Sequence, residues 1–427
     1  MAKPPMSDLL VLIPGITGSV LRRRGRDIWN LSASAALSFL KTGGRSLRDL
    51  TLECDDPQAD IADDIEATAL IETAHIVPGL WKIDGYTALQ KMLKATFAIR
   101  EVGARDQQPG NFMTFPYDWR RDVRISARLL GRAIDRKLAL WREASGNKTA
   151  KAIVLAHSMG GLVAQYYIEC LRGWNSVRAL VTFGTPFRGA PQALEYILHG
   201  YRARKLGMTF VDLTDAMRSF PSVYQLLPRY PLINRGNQLT RVFDEYDSMG
   251  LSSKFANYAK DFHDELDAAT QQNSRDFQYN EAKFATMPVV GTHQPTRQSV
   301  WRDADDWKIN DEPFAGLAPS IADGDGTVPR ISAIPISQSD AASFQGYFLA
   351  EQHASLHNNE FALGDLSARL QHLQTGHTIE ALRGAGPQRA PVPISVIVAD
   401  LYEYGQPVVV RARIGAAHRR GGACLRP

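Results

Sequence analysis

Ala152-Ile-Val-Leu-Ala-His157-Ser158-Met-Gly-Gly-Leu162-Val-Ala-Gln-Tyr166-Tyr-Ile-Glu-Cys170 is the stretch whose reading decides the class of this chain. Its first five residues are a continuous apolar run, the pattern of a strand buried on both faces of a sheet. After Gly161 the period changes: Leu162, Val163, Tyr166 and Cys170 line one face of a helix. Between the two lies Ala156-His157-Ser158-Met159-Gly160. A serine on a strand-to-helix turn is pushed out of the sheet with its hydroxyl exposed, and the crowding there demands small neighbours. The helix start also turns free N–H groups and a positive dipole end toward that hydroxyl. A small-x-Ser-x-Gly string is weak alone, recurring by chance on the order of a few tenths of a time in a chain this long. Set between a strand and a helix, it singles out Ser158 as a candidate nucleophile.

Working outward, the same alternation repeats. Leu9-Leu-Val-Leu-Ile13 is an apolar run stopped by Pro14-Gly15, and Phe112 to Tyr117 reads as a strand after a helical stretch from Tyr86 to Phe97. Ala127, Leu130, Ile134, Leu138 and Trp141 form one helix face, and Val177 to Phe183 is a further strand. Strands return at Met287 to Gly291 and Phe344 to Ala350, and a last core helix is expected over Phe361 to Leu373. Strands alternating with helices imply an α/β class with a mostly parallel sheet flanked by helices. Two stretches break the rhythm. Residues 20–80 show short pieces without a period, and residues 190–285 are helical in flavour and rich in aromatics, with prolines at 221, 228 and 231. Insertions of this kind are expected as a lid and a cap over one edge of the sheet. The expected organisation is one domain over 1–383, a linker over 384–393, a short β segment over 394–414 built from Ile394 to Val398 and Val408 to Ile414, and a disordered tail over 415–427.

Composition removes several classes of function. With 427 residues the chain can bury an ordinary core, and 49 basic against 45 acidic residues (net +4) argues against a dedicated nucleic-acid binder. Cys54, Cys170 and Cys424 lie far apart without a C-x-x-C pair, so neither a zinc ribbon nor a disulfide framework is expected. The N-terminus lacks a long apolar run, and no stretch approaches the ~18 apolar residues of a membrane span, so the expected location is cytoplasmic.

A nucleophilic serine needs a base, and the base needs an orienting acid, expected in the chain order Ser, Asp or Glu, His. Asp323-Gly-Asp325-Gly-Thr-Val-Pro329 places carboxylates in a Gly-rich turn. An EF-hand beginning at Asp323 would need Gly at 328 and Glu at 334, where this chain has Val328 and Ile334. A plain surface turn is the bland reading; Asp325 is the preferred acid and Asp323 the alternative. For the base, His353 and His357 both follow the strand ending near Ala350, with His353 preferred. His157 adjoins the serine but should leave the elbow in another direction, and His263 and His293 precede the acid. Two N–H donors must receive the oxyanion. Met159, following the nucleophile, supplies one, and the Pro14-Gly15-Ile16-Thr17-Gly18 turn suggests Ile16 N–H as the other, against the reading of a simple β-turn. This chemistry calls for no metal and no organic cofactor.

Together these residues resemble a known family. Val11-Leu-Ile-Pro-Gly-Ile-Thr-Gly-Ser-Val-Leu21, Phe115-Pro-Tyr-Asp-Trp-Arg120, the elbow at Ser158, Gly184-Thr-Pro-Phe-Arg-Gly189 and Asp323-Gly-Asp-Gly-Thr-Val328 look like the lecithin:cholesterol acyltransferase and lysosomal phospholipase A2 family, in the right order over roughly residues 8–375. Pro221-Ser-Val-Tyr-Gln-Leu-Leu-Pro228 is similar to a cap segment in that family's relatives. The resemblance implies an α/β-hydrolase fold with cap and lid, a Ser-Asp-His triad, and acyl transfer from lipid esters to water or an alcohol. By position it supports Ser158, Asp325, a histidine in the His353 segment, and an oxyanion hole at Ile16 and Met159. The chain departs from many hydrolases at the first elbow position, where Ala156 replaces Gly, and it lacks the signal peptide and cysteine pairs of the secreted members. The expected partner is a lipid or other ester substrate, with transient contact to a membrane surface and none with nucleic acid. Arg22-Arg-Arg24 could hold anionic headgroups or be a solvated loop. Tyr117-Asp-Trp-Arg120 reads as an ion-paired structural corner. The rival readings are a non-lipid esterase, thioesterase or amidase, and a catalytically idle α/β-hydrolase serving as an interaction module.

Overall fold

The structure, a computed structural model, describes residues 3–30, 49–52, 56, 63–72, 85–205, 208–236, 238–282, 284–304, 306–339, 346–374, 394–398 and 410–414. Leu9–Ile13 (β1) is buried along its whole length. With β2 (Glu101–Gly103), β3 (Phe112–Thr114), β4 (Ala152–His157), β5 (Val177–Phe183), β6 (Ala285–Gly291) and β7 (Tyr347–Leu349), it makes a seven-stranded sheet in the order β7-β6-β5-β4-β1-β3-β2. Every neighbouring pair runs parallel. The chain builds one side of β1 first and then returns to build the other from β4 outward. The strand order therefore reverses between β1 and β4, and the crevice beyond their carboxyl ends is where such sheets place ligands.

Alternation along the strands divides the core. Leu9, Val11, Ile13, Val154 and Ala156 face one way and pack with Leu130 and Ile134 of α2 (Val123–Ser145) and with Leu162 and Val163 of α3 (Met159–Cys170). Leu10, Leu12, Ile153, Leu155 and Phe183 face the other way, toward Leu89 and Leu93 of α1 (Thr87–Thr96) and Leu366 and Leu370 of Glu360–Gln374. Successive Cβ atoms on a strand point to opposite faces, so unbroken apolar runs are what a sheet covered on both sides requires. The α/β class read from the sequence is the observed one. Asp122 caps α2 by accepting the Arg124 N–H, and Gly146 closes it in the left-handed region.

The two irregular stretches contain more β structure than their patterns suggested. Ser19–Arg23, Arg26–Trp29 and Ile65–Leu70 form a three-stranded antiparallel sheet. Within 190–285, helices Pro191–His199 and Ser253–Asn273 accompany two hairpins, Arg202–Lys205 with Met208–Asp212 and Ile233–Arg235 with Gln238–Thr240. The second hairpin joins a strand pair missed entirely, Ser299–Asp303 and Asp306–Asn310. Strands of three to six residues with charged side chains on the solvent face carry too little apolar alternation to be read alone. Of the expected strand at 344–350, residues 344–345 lie outside the described residues, and the strand observed is Tyr347–Leu349. Ile394–Val398 pairs antiparallel with Val410–Ile414. Residues 384–393, 408–409 and 415–427, and much of 20–80, lie outside the described residues.

The corner at Tyr117–Arg120 ties the Pro14–Gly18 side of the sheet to these insertions. Arg120 is fully buried, with Nε donating to Asp118 Oδ1 at 2.8 Å, Nη2 to Asp118 Oδ2 at 2.5 Å and to Asp63 Oδ2 at 2.7 Å, and Nη1 to the Leu50 carbonyl at 3.3 Å. Burial alone would lower its pKa; the hydrogen bonds and charges of Asp118 and Asp63 outweigh that and raise it. Trp119 donates to Ser19 O at 3.1 Å and meets Trp29 and Phe220 edge-on. By contrast, Arg22, Arg23 and Arg24 are exposed and paired with Asp27, Asp49 and Asp64, so none of the three is a bare cation.

Replacing Arg120 with Leu leaves Asp118 facing an apolar pocket without its partner, and should lower the unfolding free energy by about 3 kcal/mol, read from the denaturant midpoint. A pH effect arises at His263, which donates through Nε2 to Gln225 O at 3.0 Å and whose pKa burial pushes down to about 3. The unfolded chain takes up the proton near pH 6.5 and the folded one does not. That stability is present above pH 6.5 and is lost as pH falls toward 3, by roughly 2 kcal/mol at pH 5. His263→Gln keeps the donor and removes the titration, so its unfolding free energy should fall less than wild type between pH 7 and pH 5.

Candidate active site

Ser158 stands between the last residue of β4 and the first of α3, with φ 51° and ψ −127°. A positive φ on a residue with a Cβ is strained and persists only where the surroundings over-determine it. Here the Ser158 N–H donates to Phe183 O at 2.9 Å, and its carbonyl accepts from Gly161 N–H at 2.9 Å and Thr185 Oγ1 at 3.0 Å. The small residues of the motif have specific reasons: a Cβ on Gly160 would lie 2.3 Å from Pro14 O, and one on Gly161 would lie 1.9 Å from Thr185 Oγ1.

The acid and base arrive from the far side of the sheet. Asp325 is buried, its Oδ1 accepting the N–H groups of Thr327 at 3.0 Å and Val328 at 2.7 Å. Its Oδ2 lies 2.7 Å from His353 Nδ1, and its main-chain carbonyl accepts the His353 N–H at 2.8 Å. His353 Nε2 is 2.9 Å from Ser158 Oγ. A neutral ring with its proton on Nδ1 donates to Asp325 and presents the Nε2 lone pair to the serine hydroxyl, the tautomer that suits both contacts.

The structure thus brings Ser158, Asp325 and His353 within hydrogen-bonding reach and keeps the two alternatives away. Asp323 accepts the His293 N–H at 2.8 Å and has the Arg330 guanidinium 3.8 Å from its other oxygen, so it braces the loop. His357 is buried, stacked on Tyr86 with ring centroids 4.6 Å apart. His157 does turn away from the serine: its Nδ1 lies 3.0 Å from Tyr86 Oη and its Nε2 3.0 Å from His353 O. Among the described residues no group of three or more His, Cys, Asp or Glu is gathered as a metal site.

The Pro14–Gly18 turn lies against the elbow because β1 pairs with β4 in a register that sets Ile13 opposite Ala156. A Cβ on Gly15 would touch Ser158 Cβ at 2.8 Å. Four of its five carbonyls are turned outward onto donors: Pro14 onto Tyr117 Oη at 3.1 Å, Gly15 onto Gly18 N–H at 3.1 Å, Thr17 onto Trp29 Nε1 at 2.9 Å and Gly18 onto Ile71 N–H at 2.9 Å. Thr17 takes φ 62° at the bend. Met159, as the first residue of α3, has an N–H with no intrahelical acceptor.

Residues that the sequence reading passed over hold this arrangement. Gly184, at φ 59°, has no room for a Cβ, which would fall 2.7 Å from Asp325 Oδ2 and 2.9 Å from His353 Nδ1. Gly291 is equally confined, 2.4 Å from Asp325 Cβ. Gly184 directly follows β5 and opens the Gly184-Thr-Pro-Phe-Arg-Gly189 motif of the sequence, whereas Gly291 is the last residue of β6. Beside the acid loop, a cavity of about 530 Å³ opens at Gly326, lined by Tyr196, Tyr201, Glu195 and Arg297 among others. Arg297 there is held by Glu195 at 2.9 Å and Asp311 at 3.0 Å.

A parallel seven-stranded sheet flanked by helices, with a serine elbow at the reversal of strand order and Asp325 and His353 beyond β6 and β7, has the α/β-hydrolase fold. The particular likeness is to the family that the sequence motifs suggested: the Lecithin:cholesterol acyltransferase family model matches residues 77–280. Among solved structures, a chain of the Tle4–Tli4 complex is similar at 15% identity and TM-score 0.54, with 88% of this chain and 100% of that chain covered. The mature form of the Bacillus licheniformis lipase BlEst2 is matched at 13% identity and TM-score 0.36, covering 86% of this chain and 94% of that one. No curated protein matches the sequence. The family match supports a lipid-ester hydrolase or acyltransferase. No helix among the described residues is long and apolar enough to cross a membrane.

Gly184→Ala tests the packing of the acid and base directly. The added methyl should force Asp325 and His353 apart, removing the downfield imidazole N–H proton resonance of His353 while the far-UV circular dichroism stays that of wild type.

Proposed function

We propose that the protein is a serine acyl-ester hydrolase or O-acyltransferase acting on lipid esters through an acyl-enzyme. The observation that carries this reading is the pair of hydrogen bonds that aligns Asp325 Oδ2, His353 and Ser158 Oγ at 2.7 and 2.9 Å. His353 Nε2 takes the Ser158 proton as Oγ attacks the ester carbonyl carbon, and the carbonyl π electrons move onto oxygen. The N–H groups of Ile16 and Met159 receive that oxyanion, and fixed donors of this kind are worth about 3 kcal/mol each. The imidazolium, oriented by Asp325, returns its proton to the leaving alkoxide as the tetrahedral intermediate collapses to acyl-Ser158. Water or an alcohol then enters by the same route in reverse, giving the free acid or a new ester and restoring the serine. Every proton and electron pair is accounted for by these side chains and the acceptor, so the cycle calls for no cofactor.

Lipid esters are favoured by the likeness to the lecithin:cholesterol acyltransferase family over residues 77–280. Residues 20–80 and 190–285 then act as lid and cap over the crevice, and approach to a lipid surface is transient. On incubation with a fluorophosphonate, which labels reactive serines covalently, wild type should gain one adduct by intact mass and Ser158→Ala none. Ser158→Ala and His353→Ala should lose about 10⁴-fold or more in kcat, and Asp325→Asn about 10³- to 10⁴-fold. The substrate class is read separately: kcat/KM on p-nitrophenyl esters should rise from acetate to the long acyl chains. A labelled serine with a preference for acetate would retain the mechanism and overturn the lipid assignment. Ser158→Ala with wild-type turnover would overturn the mechanism itself.

A further inference from the structure

We infer that Tyr86 and His157 are positioning residues, forming a one-way hydrogen-bond relay that ties the oxyanion turn to the catalytic histidine's main chain. The inference rests on the reading of Ser158, His353 and Ile16 given above. Three bonds make the relay: Gly15 N–H to Tyr86 Oη at 2.8 Å, Tyr86 Oη to His157 Nδ1 at 3.0 Å, and His157 Nε2 to His353 O at 3.0 Å. Its two ends fix the direction. A main-chain N–H can only donate and a main-chain carbonyl can only accept. Tyr86 Oη therefore accepts from Gly15 and gives its one proton to His157 Nδ1. That nitrogen must be bare, so the ring is neutral with its proton on Nε2, which donates to His353. A protonated ring would turn an N–H against the Tyr86 oxygen and leave the phenol proton without this acceptor.

The surroundings favour that single state. Tyr86 is 1% exposed and His157 6%. Burial, with the His357 and His353 rings 4.4 and 4.9 Å away, pushes the His157 pKa well below the ordinary histidine value. Burial raises the Tyr86 phenol, so it keeps its proton. The segment bearing His353 holds Tyr86 and the residue before it at two further points: His357 stacks on the Tyr86 ring, and Asn358 Nδ2 donates to Gly85 O at 2.8 Å. The relay thereby spans four parts of the chain distant in sequence and sets the oxyanion donor after Gly15 at a fixed distance from the base. A displacement of about 1 Å in such a constellation costs on the order of a hundredfold in rate.

Tyr86→Phe keeps the ring stack and removes the phenol. It should lower kcat about 10- to 100-fold on a p-nitrophenyl ester with KM changed less than twofold. His157→Gln, which offers an acceptor and a donor at similar separation, should stay within about threefold of wild type. His157→Leu should match Tyr86→Phe, and the double variant Tyr86→Phe/His157→Leu should be no worse than either single one, because both break one chain. Wild-type protein with ¹⁵N-labelled histidine should show His157 neutral and protonated on Nε2 in NMR at pH 7. A charged His157 or an Nδ1–H tautomer overturns the relay whatever the variants do. An unchanged kcat in Tyr86→Phe, or equal damage from Gln and Leu at position 157, overturns it while Ser158→Ala remains inactive. Activity surviving in Ser158→Ala would instead remove the reading on which the relay rests.

Discussion

The parallel pairing of Leu9–Ile13 with Ala152–Ala156 is the constraint on which the site depends. Its register places the end of β1 beside the end of β4, so that the Pro14–Gly18 turn and the Ser158 elbow leave the sheet side by side. A slip of one residue would send every side chain of β1 to the other face, exchanging Leu10 and Leu12 with Leu9, Val11 and Ile13. Both faces are buried, so the penalty for that slip is paid in packing over two cores. The closeness of Gly160 to Pro14 O, with room for hydrogen but not for carbon, is a local consequence of the same register.

Around this contact the main chain of Ser158 and the carboxylate of Asp325 are bonded with little freedom left. The Ser158 main chain is bonded at its N–H and doubly at its carbonyl, which is how a serine at φ 51° is held on a crowded turn. Asp325 uses one oxygen on two backbone N–H groups and the other on His353, while its carbonyl anchors the same histidine's main chain. Four carbonyls of the Pro14–Gly18 turn accept from Tyr117, Trp29 and neighbouring backbone, and its Gly15 N–H donates to Tyr86 Oη. A site so arranged has little reorganisation to pay when charge develops.

The fully buried Arg120 corner does comparable work at the edge of the fold. Taking a guanidinium out of water is costly unless every N–H finds an acceptor and the charge finds a partner. Asp118, Asp63 and the Leu50 carbonyl supply these from three separate stretches, so the corner also fixes where the irregular residues after β1 cross the sheet. Trp119, between Trp29 and Phe220, links the same point to the segment that follows β5.

What was legible in the sequence was local or periodic. The apolar runs of β1, β4 and β5, the helix faces between them and the strand-turn-helix around Ser158 could be read because each depends on neighbours within one turn or one strand. Hydrophobic period also sufficed to assign the α/β class. The short strands at Ser299–Asp303 and Ile233–Arg235, the inner pair of a small four-stranded sheet, could not be read, because their stability comes from pairing across the fold and not from their own alternation. The same limit applies to the site. Chain order and turn chemistry named Asp325 ahead of Asp323 and His353 ahead of His357, but spacing did not exclude the second of either pair. The choice is made by packing: Asp323 is taken up by His293 and Arg330, and His357 by the ring of Tyr86, which leaves Asp325 and His353 facing Ser158. Tyr86 itself carried no signal, since its partners lie 71 and more residues away. The sequence by itself thus determined the layers and the kinds of group present, through short-range sterics and hydrophobic period. Only the tertiary structure decided which of those groups meet, because hydrogen-bond partnership between distant segments is set by strand register and burial.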